Sequence, residues 1–197
     1  MIWAAMLGAF FVFLRISEFT STHVRSYNPY STLCVEDVQF MTDNRSNVIR
    51  VSINIKASKT DPFRTGMTIR LSQNASILCP VTALVQFMDV HPYKAGPLFT
   101  SQDGRYLTRK EVNKVLSNAV CDIPGHFSTH SFRIGAASTA AAAGYPRWLI
   151  QTLGRWASNC YQRYIRVADS TIDAVSKALI VSPSYDTGFD PDNLNLY

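Results

Sequence analysis

Residues 1–14, MIWAAMLGAFFVFL, carry no charged side chain and run directly into Arg15 and Glu18. A run this apolar has to leave water, yet it falls short of the roughly 20 residues that cross a bilayer comfortably. It also lacks the basic residues that open a secretory signal. What remains is a protein interior, so the segment is expected to be a helix buried almost all round, with a targeting segment as the alternative. The rest of the chain then has to enclose it. With 197 residues, 47% hydrophobic and 17% charged, there is apolar material for one sizeable core, which excludes a disordered tail or a string of small modules.

The formal charge of +5 is unevenly placed. Residues 43–166 hold sixteen basic and six acidic side chains, whereas residues 167–197 hold one basic and five acidic. A cationic body of this kind attracts polyanions, whether nucleic acid, an acidic protein or a membrane surface. Cys34, Cys79, Cys121 and Cys160 are widely spaced with no C-x-x-C pair, so the pattern of a zinc site is missing. They read as reduced, mostly buried thiols of an intracellular protein rather than as disulfides.

After the apolar opening, CVEDVQFM, NVIRVSINI and MTIRLS are β-branched stretches separated by polar turns, the pattern of a small antiparallel meander. From Pro80 the period becomes helical. PVTALVQFMDV begins with a proline suited to a first helical turn. In YLTRKEVNKVLSNAV, Thr108 and Glu111 have capping-box spacing. THSFRIGAASTAAAAG stops at Gly144, and PRWLIQTLG opens at Pro146 and closes at Gly154. SNCYQRYIR and DSTIDAVSKAL read as two last short helices, and SPSYDTGFDPDNLNLY as a loose acidic tail.

Three clusters of polar residues stand in apolar surroundings. Arg15 needs either a carboxylate or a ligand anion, because an unpaired buried cation is costly; Glu18, three residues on, supplies the first possibility. In STHSFRIGAAS, His130 and Arg133 share a helical face near an N-terminus. They could grip a phosphate, the guanidinium as a planar fork and the imidazole as a further donor or proton carrier. Their plainer reading is a capping histidine and a surface arginine. In LGRWASNCYQRYIR, Tyr161 and Tyr164 alternate with arginines; a phenol there is a core ring with a wet tip, or a nucleophile.

Taken in order, these segments resemble the catalytic domain of the tyrosine recombinase (phage-integrase-like) family. LRISEF is similar to its first arginine box, HSFR to its H-x-x-R box, and LGRWASNCYQRYI to the box that ends in the nucleophilic tyrosine. SKTD, before MTIRL, is similar to the hairpin that carries the catalytic lysine. The G-R-W form resembles recombinases of eukaryotic transposable elements, the Crypton and DIRS-like groups. The resemblance covers about residues 1–180. It implies a mostly helical α+β fold, the DNA breaking-rejoining enzyme catalytic core, with a small three-stranded antiparallel sheet.

By position, the resemblance makes Arg15 and Arg133 the arginines that bind the scissile phosphate, with His130 assisting. Lys59 becomes the general acid for the leaving 5′ oxygen, and Tyr164 the nucleophile that forms a 3′-phosphotyrosyl link. Lys56 and Arg64 compete with Lys59 in the same hairpin, and Tyr161 competes with Tyr164. Most relatives have His or Trp nine residues before the tyrosine. Here Arg155 is nine away and Trp156 eight, and Trp156 is favoured for that position with Arg155 as the alternative. Arg64, Arg105, Arg109, Lys110 and Arg155 are expected to contact DNA.

The implied activity is DNA cleavage and rejoining in site-specific recombination or integration of a mobile element, with no metal and no other cofactor. The partner is double-stranded DNA, and the protein a homo-oligomer, a tetramer on DNA, in which residues 169–180 dock on a neighbour. Alternatives are a catalytically idle DNA-binding protein descended from such an element and a type IB topoisomerase-like DNA relaxation. Residues 1–180 are expected to be the catalytic domain and 181–197 the tail, without the helical core-binding domain that usually precedes it. No membrane association is expected, and the compartment is nuclear in a eukaryote, otherwise cytoplasmic, with no secretion.

Overall fold

The computed structural model describes residues 1–56, 65–163, 165–166, 170, 172–174 and 177. The chain divides into two compact units, Met1–Ile165 and Arg166–Tyr197. In the second, the described residues 170, 172–174 and 177 are helical. Lys59, Arg64 and Tyr164 lie outside the described residues, as does most of the segment expected to dock on a neighbour.

In the first unit, α1 (Ile2–Phe11) is the central helix, lying against α3 (Pro80–Asp89) and α5 (Ser131–Ala142). Its small residues allow that close approach: Ala4, Ala5, Gly8 and Ala9 are buried, and Gly135 on α5 meets the Phe10 ring where a Cβ would come within 3.2 Å. Trp3 departs from burial all round, being 53% exposed. Two helical boundaries differ from the sequence reading. α1 ends at Phe11 because Phe13 takes a left-handed conformation (φ 54°), and Arg15 then opens a separate short helix, α2 (Ile16–Phe19).

Strands β1 (Val38–Thr42), β2 (Val48–Ile55) and β3 (Met67–Ser72) form an antiparallel meander in the order β1-β2-β3. β1 starts later than CVEDVQFM suggests. The Asp37 carboxylate accepts the Cys34 N–H at 2.8 Å and winds Val35–Asp37 into a 3₁₀ turn. On β2 the alternation places Val51, Ile53 and Ile55 in the core, with Leu71 and Ile69 beside the first two in register. That face packs on α3, whose Pro80 occupies the expected first turn.

α4 (Arg109–Ala119) carries the capping box: the Thr108 N–H donates to Glu111 Oε2 at 2.8 Å and Thr108 Oγ1 accepts the Glu111 N–H at 3.3 Å. α6 (Arg147–Gly154) follows α5, and Asn159–Arg163 is a 3₁₀ turn where an α-helix was expected. A main core lies between α1, α3 and the sheet. A smaller one gathers Phe13, Ala136, Ala137, Ile150, Trp156 and Tyr161. All four cysteines are free thiols; Cys34 and Cys79 are buried, Cys121 is exposed and Cys160 lies between. Among the described residues no helix is long and apolar enough to cross a membrane, and no cluster of His, Cys, Asp or Glu could hold a metal ion.

Candidate active site

The left-handed turn at Phe13 delivers Arg15 as the N-cap of α2, where it meets Glu18 twice. Its backbone N–H donates to Glu18 Oε2 at 2.8 Å and its Nη1 to Oε1 at 2.9 Å. Glu18 is nevertheless not Arg15's alone. Arg155, just past the end of α6, is itself left-handed (φ 54°, ψ 47°), and this sends its side chain back beneath α2. Its Nη2 donates to Glu18 Oε2 at 2.7 Å and to the Phe13 carbonyl at 2.9 Å. Its Nη1 reaches the Val12 and Leu153 carbonyls at 3.2 and 3.1 Å, and Arg15 Nη2 closes the ring on the Arg155 carbonyl at 3.1 Å. One carboxylate thus clasps two guanidiniums from opposite ends of the chain, with the Glu18 and Arg155 side chains only 4% and 7% exposed.

Arg155, expected to contact DNA, is turned inward in this structure. Its guanidinium is directed inward by the backbone and occupied by Glu18 and main-chain carbonyls. Desolvation lowers its pKa from the usual arginine value, Glu18 opposing and Arg15 reinforcing that shift. The neighbouring Trp156 faces the other way. Its ring lies 4.6 Å from the Arg133 guanidinium carbon and meets Phe13 edge-on at 6.2 Å. The ring rests on Gly154, where any Cβ would overlap it. Gly154 is therefore needed for contact with Trp156 rather than for closing α6, a task that falls to Arg155.

Arg133, in the first turn of α5, is buried, and its guanidinium donates to the carbonyls of Phe13 and Gly154, the latter at 2.5 Å. Phe13 O therefore accepts from both Arg133 and Arg155. His130 is the N-cap of the same helix and reaches the surface. Desolvation, then the Arg133 and Arg15 charges, hold its imidazole below the ordinary histidine range. At neutral pH it is neutral, able to offer one N–H and one lone pair.

These residues surround one cavity of about 680 Å³, lined by Arg15, Arg109, His130, Arg133, Trp156 and Cys160 together with Ser17, Ser128 and Thr129. Among the described residues its lining has no carboxylate. α4 and α5 both begin at its rim, adding the positive ends of two helix dipoles. The hollow suits a tetrahedral anion: fixed guanidiniums and a neutral imidazole stabilise charge building on oxygen without having to reorganise.

Of the other expected site residues, Lys110 is exposed on α4 and lines a neighbouring cavity, and Arg105 is exposed and paired with Asp103 at 2.6 Å. Lys56, the rival of Lys59, is committed to Asp37 at 3.0 Å and the Pro29 carbonyl at 3.3 Å. Desolvation works against its charge, but bonding to Asp37 and Cys34 outweighs it and raises its pKa. Tyr161, the rival of Tyr164, is a core ring with its centroid 6.0 Å from that of Trp156. Cys160, Ser128 and Thr129 were not anticipated at the cavity, since nothing in their local sequence separates them from ordinary turn residues.

No protein-family model matches the sequence, and no curated protein is a significant relative. Solved structures do match the fold. They include the XerH site-specific recombinase bound to difH substrate in a pre-cleavage complex, with TM-score 0.57, 17% identity and coverage of 91% of this chain and 46% of that one. XerH bound to palindromic difH in a post-cleavage complex gives 0.60, 17%, 90% and 45% for the same quantities. XerA recombinase gives 0.59, 15%, 90% and 57%. The chain spans about half the length of these recombinases. Its fold is that of the tyrosine recombinase catalytic core, α+β and mostly helical with a small antiparallel sheet.

Proposed function

We propose that this chain cleaves and rejoins duplex DNA through a 3′-phosphotyrosyl intermediate, in site-specific recombination or integration of a mobile element. The observation that carries the reading is the convergence of Arg15, His130, Arg133 and Trp156, from three separate segments, on one cavity whose described lining has no carboxylate. Fold likeness supplies the setting. The arginines hold the non-bridging oxygens of the scissile phosphate, and His130 bonds to the phosphate and steadies the proton transfer. Trp156 packs beneath Arg133 and fixes its plane. The phenol of Tyr164 passes its proton to the His130 imidazole as its oxygen attacks phosphorus, the bond to the 5′ oxygen breaks, and Lys59 gives that oxygen a proton. Since the phosphotyrosyl ester keeps the energy of the bond it replaces, a 5′ hydroxyl reverses the step without ATP. The engagement of Lys56 with Asp37 and of Tyr161 with the core supports assigning these roles to Lys59 and Tyr164, as the resemblance implies, with Arg64 still a competitor of Lys59.

The test uses a pool of nicked duplexes of randomised sequence, which trap the covalent state when the short strand diffuses away. Wild-type protein should give a protein–DNA adduct that survives denaturant, and Tyr164→Phe none. Arg133→Gln should lower the yield by about 10²- to 10³-fold, the usual loss for one preorganised charge-stabilising donor. Binding without any adduct would identify an idle DNA-binding protein. Adducts accompanied by supercoil relaxation but no joining of two sites would identify a topoisomerase-like activity.

A further inference from the structure

The proposed phosphate cavity is lined by Arg15 and Arg133 but, among the described residues, not by Arg155 or Glu18. Arg155 nevertheless bonds to the pieces of chain on which both lining arginines rest. Arg133 donates to the Phe13 and Gly154 carbonyls, and Arg15 to Glu18 and to the Arg155 carbonyl. The Arg155 side chain joins these supports: Nη2 spans Glu18 Oε2 and the Phe13 carbonyl, and Nη1 spans the Val12 and Leu153 carbonyls. Residues 12–13 and 153–155 are thereby fastened by one guanidinium, and each lining arginine is anchored on what it fastens.

The backbone that carries this side chain is fixed as well. The Arg155 N–H donates to the Thr152 carbonyl at 2.9 Å. The next residue is held on both sides, the Trp156 N–H by the Gln151 carbonyl and the Trp156 carbonyl by Gln151 Nε2, each at 3.1 Å. The left-handed conformation at Arg155 then leaves its side chain 7% exposed. A planar fork with donors on both terminal nitrogens serves a carboxylate and carbonyls at once, which an ammonium on a flexible stem cannot do in a fixed plane. Misplacing a reacting group by about 1 Å costs on the order of 10²-fold in rate, so a residue that sets the planes of two phosphate-holding guanidiniums acts on rate from behind them.

We propose that Arg155 is a positioning residue: it locks Arg15 and Arg133 into the relative orientation that the two need to hold one phosphate, without touching the phosphate itself. This rests on the reading of the cavity as a phosphate site and gives it a support that is neither in its lining nor a contact to DNA.

The test takes the linkage that wild-type protein cleaves, mapped from its adduct with the randomised pool, and compares a duplex bearing phosphate there with one bearing methylphosphonate. Replacing one charged oxygen by a methyl group lessens the charge that the arginines must meet, so an ill-set guanidinium is missed less. In Arg155→Lys and Arg155→Met the adduct rate at saturating DNA should fall about 10- to 10²-fold below wild type on the phosphate duplex. The smaller loss belongs to Arg155→Lys, which keeps a charge beside Glu18. On methylphosphonate, relative to wild type on the same duplex, most of the loss should disappear. The salt slope of binding should keep its wild-type value, because a guanidinium bonded inside the protein releases no counterions from DNA. A slope lowered by about 0.9 in Arg155→Met would make Arg155 a direct phosphate contact and overturn the proposal. So would wild-type rates in both variants, or equal losses on the two duplexes, the mark of a residue that serves stability alone. If circular dichroism shows Arg155→Met unfolded, the two rates of Arg155→Lys decide. Wild-type protein that forms no adduct with any duplex would remove the proposed function, and the role of Arg155 with it.

Discussion

Glu18 is the only carboxylate bound to Arg15 and Arg155 among the described residues, and it has little access to water with which to share their charge. Removing one partner of a buried pair leaves the other charge uncompensated, at a cost of about 3–5 kcal/mol. Glu18→Gln should therefore lower stability by an amount in that range, read from urea unfolding. Arg15→Gln should cost clearly less, because its side chain is 20% exposed and water can take over part of its role. Equal, negligible losses in both variants would dissolve the clasp as a structural device. His130 supplies a second test. Its imidazole is held down in the free protein by desolvation and by the Arg133 and Arg15 charges. A phosphate entering between these groups offsets the repulsion, so binding takes up a proton. DNA affinity should rise as pH falls through the imidazole's bound-state value, level off below its free-state value, and lose this dependence in His130→Gln. The sign for folding is opposite: the unfolded imidazole, near 6.5, protonates first, so the group withdraws stability as pH drops from there toward its lower folded value.

The end of α6 shows how one element decides what two others can do. The glycine of G-R-W reads as an ordinary helix stop, but the left-handed residue is Arg155, and Gly154 is helical with the Trp156 ring against its Cα. Gly154→Ala improves helix propensity and still should destabilise, by about 1–3 kcal/mol from overpacking. It should also displace Trp156 from Arg133, seen as a changed indole environment and a lower adduct yield. Gly154→Ala with wild-type stability and yield would mean that the ring moves aside freely. Elements elsewhere were legible because their signals are local. Pro80, the Thr108–Glu111 pair and the alternation along β2 each act within a few residues, and the structure has all three. Boundaries were missed at the Asp37 cap, a local bond to the Cys34 N–H that delays β1, and at the Phe13 turn, whose carbonyl accepts from the distant Arg133 and Arg155 and which divides the apolar opening from Arg15.

For the molecule as a whole, residues 43–166 carry a net positive charge of the kind that attracts polyanions. If Arg15, Arg109, Arg133 and Lys110 each neutralise about one phosphate, log affinity for duplex DNA should fall against log salt with a slope of about −3 to −4. Fluorescence anisotropy over a salt series measures it, and a slope near zero would rule out backbone contacts as the source of affinity. Which residue types were available, and in what order along the chain, was readable without coordinates, as were the helices and strands that carry them, because helical period, alternation and capping depend on neighbours. That Arg15 meets His130 and Arg133, and that Trp156 rather than Arg155 stands at the cavity, was implied by the family resemblance but is dictated by no local signal. Both depend on left-handed turns at Phe13 and Arg155 that no local preference demands, and on a carboxylate shared between segments 137 residues apart. Only packing of the whole unit makes such conformations the lowest in free energy, since the carbonyls and Glu18 that compensate them come together when the chain has folded.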